Sequence, residues 1–197
     1  FKMAYPTVSA PYGFQAINRV DGMPYAGQTR LIPIASTYNT AIYAGDLVKI
    51  VAAGTIEKFT GTTTGSPSGV FMGVQYVNSL GQFTPAQYYP GTSVTDAYAI
   101  VVDDPMAAFK VAVTDGSSNM STAARAAVGS NMSVLAGTGD ANTGNSGASV
   151  LAGSEATTAG LVVRVIDTVD ETKTAADTFV ELIVKINLHQ YNNTTGV

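Results

Sequence analysis

The residues best placed to do chemistry are acidic. Asp103-Asp104-Pro105 is the most distinctive group, with Asp96 a few positions upstream. Adjacent carboxylates on an extended strand point to opposite faces, so only a turn could bring both onto one cation. The simpler reading is an acidic turn whose Asp side chains accept backbone N–H bonds while Pro105 fixes the exit. Asp140-Ala141-Asn142-Thr143-Gly144 superficially resembles the opening of a calcium loop. Position 151 is Leu where the closing glutamate would stand, so the motif fails. Asp167, Asp170 and Glu171 read as a solvated turn between strands. The single histidine, His189, is the only imidazole base, at the end of the last strand beside Gln190 and Tyr191. It reads as a surface or edge residue. No serine lies in a G-x-S-x-G elbow, and the glycines lack the spacing of a phosphate-binding loop. A glycosidase's carboxylate pair is defined by a tertiary separation, and no aromatic cleft signature accompanies the 14 acidic residues.

Composition narrows the classes further. The chain has 197 residues, 10 Lys+Arg and 14 Asp+Glu, a formal charge of −4, and no Cys or Trp. Without cysteine there is no disulfide scaffold, zinc knuckle, iron–sulfur site or thiol nucleophile. Absent Lys/Arg clusters argue against nucleic acid or an anionic membrane as partner. No run reaches the roughly 20 apolar residues of a membrane-spanning helix. The first residues lack the apolar core of a secretory leader. No cofactor is expected. Charged residues make up 12% of the chain, about half the usual share, which leaves a surface that loses little on dehydration against a partner.

The elements that must carry these residues read as strands. Candidates are Arg30–Ile34, Asp46–Val51 paired with Thr55–Phe59, Val70–Tyr76 with Gly73 inside it, and Phe83–Tyr89 after the Asn78–Gln82 turn. Tyr98–Val102, Phe109–Val113, Val134–Leu135, Leu161–Thr168 and Phe179–Leu188 complete the set. The last is clearest: Val180, Leu182, Val184, Ile186 and Leu188 alternate with Glu181, Lys185 and Asn187. Phe179 and Ile183 interrupt the polar face, which implies cover by a second layer or a partner. One short helix is expected at Met120–Val128, between Ser117-Ser118-Asn119 and Gly129. Residues 137–160, rich in Gly, Thr, Ser and Asn, read as a long surface loop, reaching a neighbour or simply mobile. The Tyr88-Tyr89 pair and Tyr98 are possible sugar platforms.

The predicted architecture is mainly β, a small β-barrel or β-tulip/sandwich core with one short helix and an extended N-terminal arm. The arm spans 1–28, the barrel-like domain 29–189 and a tail 190–197. Within the arm, aromatic residues between Pro and Gly breaks suggest a segment lying on its own barrel or on a neighbouring subunit.

Tyr43-Ala44-Gly45-Asp46-Leu47-Val48-Lys49-Ile50, Gly69 to Tyr76, Phe83 to Pro90 and Tyr98 to Phe109 resemble the capsid decoration, or cement, proteins of tailed bacteriophages. The resemblance spans roughly residues 30–113 and is carried by composition. It implies a non-enzymatic virion structural protein on the outer capsid surface, frequently a homotrimer, with the major capsid protein as partner. On that reading Tyr5, Tyr12, Phe14 and Tyr25 are candidate capsid contacts, and Phe179 and Ile183 candidate subunit-packing residues. Alternatives are another virion component (a shell, tail or fibre subunit) and a carbohydrate-binding β-module.

Overall fold

The computed structural model describes residues 8–193 and Gly196. Fifteen strands follow in order: β1 Gln15–Arg19, β2 Arg30–Pro33, β3 Leu47–Ile50, β4 Ile56–Lys58, β5 Gly69–Asn78, β6 Phe83–Ala86, β7 Val94–Val102 and β8 Ala107–Thr114. Then come β9 Ala123–Ala124, β10 Asn131–Met132, β11 Val134–Leu135, β12 Ser149–Leu151, β13 Val163–Thr168, β14 Thr178–Phe179 and β15 Glu181–Ile186.

Strands β2-β7-β5-β3-β4 form one sheet in that order, with β6 added to β5. A parallel bridge between Ile34 and Ile56 joins the two ends, so the sheet nearly closes into a barrel. Period-two alternation sends Ile32, Ile34, Val48, Ile56, Phe71, Val74, Ala97, Ala99 and Val101 into one buried cluster with Ile42 and Tyr89. Gly73 marks a bulge opposite Ile100. A Cβ there would stand 3.1 Å from the Ala86 carbonyl oxygen, so glycine lets β6 approach.

The second sheet runs β10-β13-β15-β8-β12-β11. Its centre is β8, which pairs with β15, with β1 and, in parallel, with β12. Phe109, Val111, Val113, Val163, Val165, Leu182 and Val184 fill its core, joined by Leu47, Phe59, Val70 and Val102 from the barrel strands. The two sheets therefore share buried side chains.

Two expectations change. The short helix shrinks to a single 3-10 turn at Arg125–Ala127. The preceding Ala123 and Ala124 instead pair with Phe179 and Thr178. Two turns of helix barely repay nucleation in water, so tertiary pairing decides. Residues 137–160 are not one loop, because Ser149–Leu151 form β12. The loop before β12 docks on its own chain: Ala44 bridges Asn145, and the Gln87 amide donates to Asn145 at 2.7 Å. The described part of the arm lies on its own chain, one of the two placements expected for it. The Phe14 amide donates to the Gly45 carbonyl at 2.9 Å and β1 lies along β8. Gly13 and Gly45 meet back to back with φ of 84° and 95°, where a Cβ on Gly13 would lie 2.8 Å from the Gly45 Cα.

Candidate functional site

The sequence-predicted contact residues separate under this geometry. Tyr5 lies outside the described residues. Phe14 is a correction: it is buried edge-on against Phe109, ring centroids 6.4 Å apart, and cannot meet a capsid in this conformation. Its neighbours along β1 pull it in, because pairing with β8 sets Phe14 over the shared core. Replacing Phe14 with alanine is expected to lower unfolding stability by about 3–5 kcal/mol in denaturant titration, whereas a surface anchor would change it by about 0.5 kcal/mol or less. Tyr25 is half-buried, and its hydroxyl donates to the Gln28 carbonyl at 2.9 Å. Burial raises its phenol above the usual range, reinforced by Asp104 and Asp103.

Tyr12 and Glu181 explain the interrupted polar face of the last strand. Glu181 is buried, and the Tyr12 hydroxyl donates to its carboxylate. Lys110 Nζ lies 3.5 Å from the same oxygen and 5.6 Å from the Tyr12 ring centre. Burial drives the Tyr12 phenol well above its ordinary range, and Glu181 adds to the shift. Tyr12 of the arm thus covers Glu181 on this face. Phe179 is a second correction, buried in the chain's own core where β14 meets β9, while Ile183 is half-buried.

The acidic groups resolve into turns and ion pairs. Asp104 Oδ1 accepts the Met106 amide at 2.8 Å, and Arg19 lies 3.4 Å from its other oxygen. Asp103 is buried, with Arg30 Nε at 3.0 Å and the Tyr191 hydroxyl at 3.1 Å. Asp96 stands farther back along β7, where six residues of strand amount to roughly 20 Å, and does not join them. Asp140 accepts the Asn142 amide at 2.8 Å, and Asp167 pairs with Arg125 at 2.8 Å. Among the described residues no three His, Asp or Glu side chains come together as metal ligands.

His189 departs from its expected surface position, being 1% exposed. Its Nδ1 accepts the Tyr191 amide at 3.2 Å, and its Nε2 is buried. Among the described residues no serine or threonine hydroxyl bonds to the ring. The proposed sugar platforms fare unevenly. Tyr89 is buried and donates to the Tyr38 carbonyl at 2.7 Å, and Tyr88 stacks on Tyr43 at 5.4 Å, while Tyr98 is exposed.

What the sequence reading missed is a wall. On β2, β7, β5 and β6 the residues opposite the barrel core are Leu31 and Pro33, Tyr98 and Ile100, Met72, Gln75 and Val77, and Phe83 and Pro85. Their register is continuous across the strands: Pro33 opposite Tyr98, Tyr98 opposite Gln75, Gln75 opposite Pro85. Leu31, Met72, Phe83 and Tyr98 are 54%, 42%, 68% and 48% exposed, and Leu80 at the β5–β6 tip is 80% exposed. They are five of the eight large apolar side chains most exposed among the described residues, a concentration typical of interaction surfaces. Asn78 Oδ1 accepts the Leu80 and Gln82 amides at 2.9 and 3.0 Å, which pins the tip before any partner arrives. Residues 59–95 contain no Asp, Glu, Lys or Arg. That gap was the available signal, although it did not say which side chains face outward. Pro85 within edge strand β6 removes a backbone donor and discourages strand addition.

No protein-family model, curated protein or solved structure matches this chain.

Proposed function

We propose that this protein is a non-enzymatic virion structural protein that binds the outer capsid surface, with the major capsid protein as partner, and stabilises the shell lattice. The observation that carries the reading is the apolar wall built on β2, β7, β5 and β6 with the pinned Leu80 tip. Such a face binds by burying apolar area, without stripping water from charges. Its hydrogen-bonded sheet and Asn78-held turn need little ordering on contact, which lowers the cost of association. A homotrimer would present three copies of this face at fixed spacing, so that modest contacts sum to firm attachment without touching packaged DNA.

The direct test titrates purified shells lacking the protein with the full chain and follows uptake by sedimentation. Saturable uptake at a fixed ratio to shell subunits, with a raised temperature of shell disruption, is expected. Shells that take up none of the chain, or take it up without gaining stability, would overturn the proposal.

A further inference from the structure

Residues 189–193 follow the last strand and are tied to the barrel by several polar contacts. The Gln190 side chain grips one residue of β3 twice, accepting from the Ile50 amide at 2.7 Å and donating to its carbonyl at 2.9 Å. The Gln190 amide donates to the Pro67 carbonyl at 3.1 Å. Tyr191 reaches buried Asp103, and Arg30 lies 5.3 Å from the Tyr191 ring centre. Gln190 and Asn193 form one side of a groove of about 370 Å³ whose other side includes Lys49, Phe59, Thr60 and Ser66.

His189 sits at the start of this segment and caps its 3-10 turn, Gln190–Asn192, through Nδ1. An acceptor nitrogen carries no hydrogen, so in the neutral ring the proton resides on Nε2, which is buried. A second proton can go only to Nδ1. There it would point at the Tyr191 amide, donor against donor, and the cap would be lost. We propose that residues 189–193 are an acid-releasable strap, in which protonation of His189 breaks the cap and frees Gln190 and Tyr191 from the barrel.

The surrounding charges set the balance. Burial lowers the His189 pKa below its ordinary range, while Asp103, the Ser68 backbone and Asp104 oppose that shift. Arg30 from β2 occupies Asp103, Tyr191 shares it, and Lys49 of β3 lines the adjoining groove. A released histidine takes up its proton near pH 6.5, above the pH at which the docked ring does so. Between those two values the released form binds more protons, so the strap is firm at neutral pH and weakens as pH falls. The inference stands on the chain alone and does not depend on capsid binding.

The test is amide hydrogen exchange of the full chain, corrected for intrinsic rates, from pH 7.5 to 5.0. Protection across 189–193 is expected to fall by up to about tenfold per pH unit below about 6.5, the limit for one linked proton, while β8 is unchanged. The His189→Asn variant keeps a capping acceptor without a titrating ring, so its protection should be independent of pH. Flat protection in the native chain, an equal loss throughout the fold, or the same pH dependence in His189→Asn would overturn the strap. The ring's own NMR titration supplies a check that needs no variant, since His189 is the only histidine. A midpoint below 6.5 is expected, and one at or above it would refute the mechanism.

Discussion

Replacing Asp46 with alanine is expected to destabilise the fold by about 3–5 kcal/mol, the usual consequence of removing one partner from a buried ion pair. Asp46 is almost fully enclosed and holds three segments at once. One oxygen accepts from the Tyr43 amide at 2.8 Å and lies 3.0 Å from Lys58 Nζ, and the other accepts the Ser146 hydroxyl at 2.6 Å. The 43–46 corner, β4 and the loop before β12 thus converge on one carboxylate. Lys58, whose side chain is 10% exposed, would be left charged and without a carboxylate. Denaturant unfolding of the single and double variants checks this. Asp46→Ala with Lys58→Met should recover a large part of the loss, because the unpaired charge goes with the lysine. A loss below about 1 kcal/mol for Asp46→Ala would show that water reaches Lys58 and that the pair is not structural.

Placing glutamates at Leu31 and Tyr98 together is expected to weaken uptake by shells at least a hundredfold while leaving the melting temperature nearly unchanged. Both side chains project from the outer wall, away from the Ile32, Ala99 and Val101 layer that fills the barrel. In the free protein the new carboxylates remain hydrated. Against a partner they must be desolvated without a counter-charge, at several kcal/mol, and every 1.4 kcal/mol is tenfold in affinity. The same change at Ile17 and Met23, exposed but off the wall, is the control and should alter uptake little. Full binding by the Leu31/Tyr98 variant would remove the wall from the contact surface.

Strand positions were readable because period two is a local property of extended backbone. The alternation of Val180 to Leu188 marked β15, and the Gly-bounded run at Val70 marked β5. The Asp103-Asp104-Pro105 turn was legible for the same reason, since Asp side chains cap the backbone beside them. The segment Met120–Val128 misled because its propensity is weak over so short a span, and pairing of Ala123 with Phe179 outweighs it. The exposed tyrosine at 98 and the buried one at 89 look alike in sequence. Nothing local distinguishes them, because the difference lies in which strands stand opposite.

By itself, then, the sequence determined a mainly β chain of low charge, its turns, the uncharged span 59–95 and the absence of thiol chemistry. Tertiary structure alone decided that Ile34 meets Ile56 to nearly close the barrel, that Phe14 enters the core and that His189 is buried. It also decided that, among the described residues, Leu31, Met72, Phe83 and Tyr98 stand exposed on one face of four strands. The physical reason is range. Alternation, capping and turn formation are settled by neighbours a few residues apart, whereas burial depends on long-range contacts, such as Asp46 with Ser146 or Tyr12 with Glu181, that exist only once the whole chain has packed.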